Sequence, residues 1–74
     1  SKYQIPNLDL EARIEVEFDA RGFLKDFRFI ETSGNVNFDN SLKAAILAVP
    51  KLEKEPQKPL VETINFNLKD MQER

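Results

Sequence analysis

Between Arg13 and Phe18 apolar and charged side chains alternate without a break, with Ile14, Val16 and Phe18 set against Arg13, Glu15 and Glu17. A period of two sends the sets to opposite faces of a strand, and one charged face means burial on one side only. Asp19-Ala20-Arg21-Gly22 follows as a turn, in which Gly22 can take the positive φ of a short hairpin connection. The next run, Phe23 to Thr32, is rich in aromatic and branched residues, but its period slips. Leu24 and Phe27 share a face only if one residue is inserted near Lys25-Asp26, as a β-bulge would do, and Phe27 and Phe29 then both face the core.

Ser33-Gly34-Asn35 ends the second strand, and Asn37 or Asp39 is placed to cap a helix. Phe38, Leu42, Ala45, Ile46 and Val49 recur at helical spacing, a stripe along one face. The pattern predicts a helix from about Asp39 to Val49 that packs Leu42, Ala45, Ile46 and Val49 on the sheet. Pro50 ends it, since proline in a helix interior costs about 3 kcal/mol. Lys51 to Pro59 reads as an extended connector. Leu60, Ile64, Phe66 and Leu68 then flank Glu62 in a weaker alternation that predicts a last strand, Val61 to Leu68. Residues 1–11, with Pro6, form a lead-in, residues 12–69 the folded domain, and residues 70–74 a polar tail.

The order strand, strand, helix, strand defines an α+β fold, β-β-α-β. The helix is a crossover that returns the third strand parallel to the second. The third strand can therefore lie beside the first, in a three-stranded antiparallel sheet of order 2-1-3 with one helix packed on one face. Strand three becomes an edge whose outer donors and acceptors are open to another chain.

Composition narrows the chemistry. The chain has no Cys and no His, which removes disulfides, thiolate sites and the commonest metal ligand and general base. No cofactor or metal is expected. Eleven basic and 13 acidic residues, interspersed, give a net charge of -2, which argues against a nucleic-acid partner. Glu15 and Glu17 stand ~7 Å apart along one strand face, near the spacing of an acid/base pair, yet an open sheet with Arg13 alongside offers no pocket to shift either one. Ser33 and Ser41 have no His partner. Phe23, Phe27, Phe29 and Phe66 are about as many rings as packing under one helix needs, so base stacking is not required to explain them. Lys51, Lys54 and Lys58 form a basic cluster that Glu53 and Glu55 interleave.

In its motifs the chain resembles the C-terminal domain of the TonB/TolA family. The matching features are the alternating strand Ile14 to Phe18, the turn Asp19 to Gly22, the strand Phe23 to Gly34, and the Phe38-Asp39 helix start leading to Ala44-Ala45 and Ala48-Val49. The Pro-containing connector and closing strand also fit. The aromatic residues that TonB domains place between helix and connector are missing at Val49-Pro50-Lys51-Leu52, and Lys51-Leu52-Glu53-Lys54 before Pro56 is closer to TolA. The resemblance implies a non-enzymatic, periplasmic domain of an inner-membrane-anchored protein driven by proton-motive force. The anchor, and the link to an inner-membrane motor complex, are expected ahead of Ser1.

In a TonB domain the last strand pairs with an extended peptide of an outer-membrane transporter. In a TolA domain the partners are Tol-system envelope proteins, with colicins or phage coat proteins in some hosts. The residues expected to bind the partner are Val61, Thr63, Asn65, Phe66, Asn67 and Leu68. Thr63, Asn65 and Asn67 are expected to face away from the core. Register is expected to turn the N–H of only one of Thr63 and Asn65 outward. The rival reading is a homodimer formed by edge strands of two copies.

Overall fold

The computed structural model describes residues 10–68. Its elements are β1 (Glu11–Phe18), β2 (Leu24–Glu31), α1 (Val36–Leu47) and β3 (Leu60–Asn67). The strands form one sheet in the order β2-β1-β3, antiparallel at both junctions, the arrangement expected from the pattern. Most of the expected lead-in and the whole of the expected tail lie outside the described residues.

β1 is central because it alone alternates cleanly between apolar and charged positions. Ala12, Ile14 and Val16 are buried beneath the helix, Ile14 completely at 0% exposure. With Phe38, Leu42 and Ile46 of α1 they make the core, and Leu10, Phe18, Leu24, Phe27, Phe29, Phe66 and Leu68 pack around its margin.

The slip in β2 is a bulge, as its phase requires. Glu17 pairs with Asp26 but Phe18 with Leu24, so Lys25 is the inserted residue. A second irregularity, between the Arg13–Glu31 and Ile14–Phe29 pairs, inserts Ile30. The sequence hides this one, because an apolar residue in the extra position looks like part of the strand.

The helix differs from expectation at both ends. Asn35, in extended geometry, is the N-cap, and its Oδ1 accepts from the Phe38 N–H at 2.9 Å. Asn37 and Asp39 lie inside the first turn, where Asp39 Oδ1 accepts from the Ser33 N–H at 3.1 Å and fixes the entering chain. At the other end α1 stops at Leu47, because Pro50 disfavours helical geometry at Val49 before it. The buried row is consequently Phe38, Leu42 and Ile46. Ala45 is exposed and Val49 is 42% exposed, so neither packs on the sheet as the stripe suggested.

The hairpin turn is built on Asp19. Its Oδ1 accepts from the N–H groups of Arg21 at 2.9 Å and Phe23 at 3.0 Å, while its backbone oxygen accepts from Gly22 at 3.0 Å. Gly22 has φ +101°, and a Cβ there would lie 3.1 Å from Leu52 Cβ. The connector is fastened to this turn. Leu52 N–H donates to Gly22 O and Gln57 N–H to Ala20 O, both at 2.9 Å, and Lys51 Nζ sits 5.7 Å from the Phe23 ring centroid. The chain is thereby delivered to the start of β3.

Ile46→Ala should destabilise the domain by about 2–5 kcal/mol, the range for truncating a buried aliphatic side chain. A loss below roughly 0.5 kcal/mol in chemical denaturation, typical of surface sites, would remove Ile46 from the core.

The bond from the Phe23 N–H outweighs the opposing desolvation and, with help from Arg21 and Gly22, holds the Asp19 carboxyl below its ordinary 3.8. With the folded value lowered, Asp19 stabilises the fold above the unfolded value and loses that effect as pH falls through the folded one. Asp19→Asn should therefore show a shallower loss of stability than the parent below about pH 4. Identical acid-denaturation slopes would contradict this account of the turn.

Candidate functional site: the outer edge of β3

Register decides which backbone groups β3 offers. Its pairs with β1 run from Glu11–Asn67 to Phe18–Leu60 without irregularity. Leu68 N–H donates to Leu10 O at 3.0 Å, and hydrogen-bonded pairs alternate along an antiparallel ladder. The inward-bonded residues of β3 are thus Leu60, Glu62, Ile64 and Phe66. Val61, Thr63 and Asn65 turn their N–H and C=O groups outward. The Asp19 N–H to Phe23 O bond at 2.8 Å agrees, since it commits the alternate residues of the central strand to β2. Thr63 and Asn65 are two apart and share one phase, so the expectation that only one of them points outward is corrected. Among the described residues no strand pairs with this edge.

The side chains of Val61, Thr63, Asn65 and Asn67 lie on the face opposite the helix. Val61 is 55% exposed. Asn65 Oδ1 accepts from Arg13 Nε at 3.1 Å, and Asn67 Nδ2 donates to Glu11 Oε2 at 2.9 Å. Phe66 and Leu68 instead belong to the margin of the core, on the helix side. Sequence reasoning left out Glu62 and Ile64, which occupy the helix side of the same edge opposite Val16 and Ile14. The signal was present in the period of two through Leu60, Glu62, Ile64 and Phe66.

The outer face of the sheet carries charge pairs across strands. Arg13 meets Glu31 at 3.7 Å, Arg28 Nε meets Glu15 at 2.9 Å, and Lys25 meets Glu17 at 3.6 Å. Glu15 and Glu17 line a shallow depression with Asp26, Arg28 and Val61, but each already faces its own cation. They are two solvated ion pairs and not an acid/base couple. In the connector, Lys51 is drawn to Glu55 at 3.8 Å and to the Phe23 ring. Among the described residues no group of His, Cys, Asp or Glu is arranged to hold a metal ion, and no helix is long and apolar enough to cross a membrane.

The other edge of the sheet is less suited to pairing. The insertions at Lys25 and Ile30 interrupt the even spacing of β2, and bulges of this kind blunt an edge against added strands. β3 is eight residues long and unbulged.

Neither the curated proteins nor the solved structures compared with the chain yielded a match. The family model described as TonB C terminal matches residues 2–68. Domains of that family are periplasmic, non-catalytic modules of energy transduction. With nearly the whole sequence covered, from ahead of β1 to just past β3, the chain belongs to the TonB C-terminal family.

Proposed function

We propose that this domain docks an extended peptide of an outer-membrane transporter as a fourth strand along β3. The observation that carries this is the unbulged outer edge, where Val61, Thr63 and Asn65 present consecutive outward N–H and C=O groups. A peptide laid there gains main-chain hydrogen bonds for affinity, while its alternate side chains meet the two faces of the sheet and supply selectivity. Val61 and Thr63 offer the outer face a β-branched surface. Asn65 and Asn67 are held by Arg13 and Glu11, which keeps that face in one arrangement before a partner arrives.

Membership of the family supports the remainder of the reading. The domain works in the periplasm, where an inner-membrane motor complex acts on it. A pull along β3 loads the added strand's hydrogen bonds together, so a modest edge can transmit force. No bond is made or broken in the partner.

Because Val61, Thr63 and Asn65 share the outward phase, Thr63→Pro and Asn65→Pro each delete an outer donor and leave the inner ladder whole. Both variants should stay folded by circular dichroism and lose the backbone-amide shifts that a transporter peptide induces along β3. Ile64→Pro removes an inner donor and should unfold the domain. If both outer variants fold and still bind, strand addition at this edge is not the mechanism. Titration with Tol-system peptides alongside separates the two kinds of envelope partner.

A further inference from the structure

We infer that the strand added at β3 carries a cationic residue where it passes Glu62 and an apolar residue two positions away, where it passes Ile64. This rests on the docking reading above and names the chemistry of the partner.

Glu62 stands where a core-facing residue is expected. It lies on the helix side of β3, between Leu60 and Ile64 and opposite the buried Val16. It is exposed, and among the described residues the ion pairs all involve other side chains. A charge on the inner side of an edge strand works against unsuitable pairing, because a new strand would cover the carboxylate on one flank without neutralising it. A Lys or Arg opposite Glu62 removes that objection, and its aliphatic stem can lie along the neighbouring apolar surface.

Ile64 supplies the second half of the code. It is 38% exposed although it pairs with Ile14, the most buried residue of the sheet. The buried row of α1, Phe38, Leu42 and Ile46, covers β1 and leaves the flank of β3 open. A strand added ~4.8 Å further out would bring its own side chain to within ~5 Å of Ile64, measured between Cβ atoms. An apolar residue there extends the core by one row. Parallel and antiparallel additions reverse the order of the two partner residues but keep their spacing of two.

The same geometry speaks against a second copy of this chain as the occupant. Residues Leu60–Asn67 include no Lys or Arg. When two β3 strands pair, residues opposite one another share a face, so the central antiparallel registers set Glu62 against Glu62, Ile64 or Phe66 of the copy. None of these neutralises it.

The test pans a random decapeptide display library against the chain and against its Glu62→Lys and Glu62→Gln variants. Recovered peptides are then titrated with backbone-amide detection. The parent should enrich Lys or Arg two residues from Val, Ile, Leu or Phe, Glu62→Lys should enrich Asp or Glu instead, and Glu62→Gln should show no charge preference. Replacing the cation of a recovered peptide by Glu should weaken binding to the parent roughly fivefold, by an amount that shrinks at high salt. Peptides that shift the amides of Val61, Thr63 and Asn65 equally whatever their charge would overturn the inference and leave docking at β3 standing. Peptides that bind without shifting those amides would overturn the docking reading itself. A parent chain that sediments as a dimer, with β3 amides protected, would overturn the inference in favour of the second copy.

Discussion

The burial of one face of β1 under one row of α1 is the constraint on which the domain depends. Ile14 is wholly inaccessible and Leu42 is 1% exposed, and around them, among the described residues, only Ala12, Val16, Phe38 and Ile46 are buried. A chain of this size can remove only about 60% of its unfolded surface from water, so the core is one helical row wide. A row of that width covers the middle strand of a three-stranded sheet and little else. Both outer strands are half-covered, which is why Phe27, Phe29 and Phe66 sit at the core margin and Ile64 remains partly open. The open edge of β3 is thus a consequence of the same thin packing that holds the fold together.

Placing β3 at that edge requires the connector to return to the level of the hairpin turn, and local contacts decide where it does so. Gly22 permits it twice, by its φ of +101° and by leaving room for Leu52, whose N–H then reaches the Gly22 oxygen. Gln57 takes a φ of +73°, uncommon for a residue with a Cβ, while its N–H donates to Ala20 O. A left-handed residue costs roughly 1 kcal/mol, and a hydrogen bond returns about as much. The clasp therefore adds direction to the chain more than stability.

How much of this was legible in the sequence follows from which signals are local. β1, the turn at Gly22, the Lys25 bulge and the sheet order could all be read, because period and punctuation carry them within a few residues. The cap at Asn35 was missed because Asn35, Asn37 and Asp39 are all competent acceptors, and only the backbone geometry at Asn35 selects among them. Ala45 and Val49 were assigned to the core because a helical stripe shows which residues share a side and not how wide a surface they meet. The expected edge residues illustrate the same limit. Thr63, Asn65 and Asn67 lie on the outer face as expected, and Val61 joins them there, whereas Phe66 and Leu68, next to them in sequence, turn to the core. Glu62 and Ile64 drew no attention, since a charged residue and an apolar one in a weak alternation look like noise until the register with Val16 and Ile14 is known.

The two edges of the sheet differ in how they meet the hazard that any open edge presents. β2 answers it with backbone, through insertions at Lys25 and Ile30 that disturb the ladder a new strand would need. β3 keeps a regular backbone and answers with side chains, a carboxylate at Glu62 on the helix side and polar residues at Thr63, Asn65 and Asn67 on the other. The difference is consequential because a bulge rejects every strand alike, whereas a charge rejects only strands that fail to complement it. Protection by backbone makes a closed edge, and protection by side chain makes a selective one. On the docking reading, β3 is regular for this reason: its outward N–H and C=O groups hold any strand with the right complement, and Glu62 decides which strands those are.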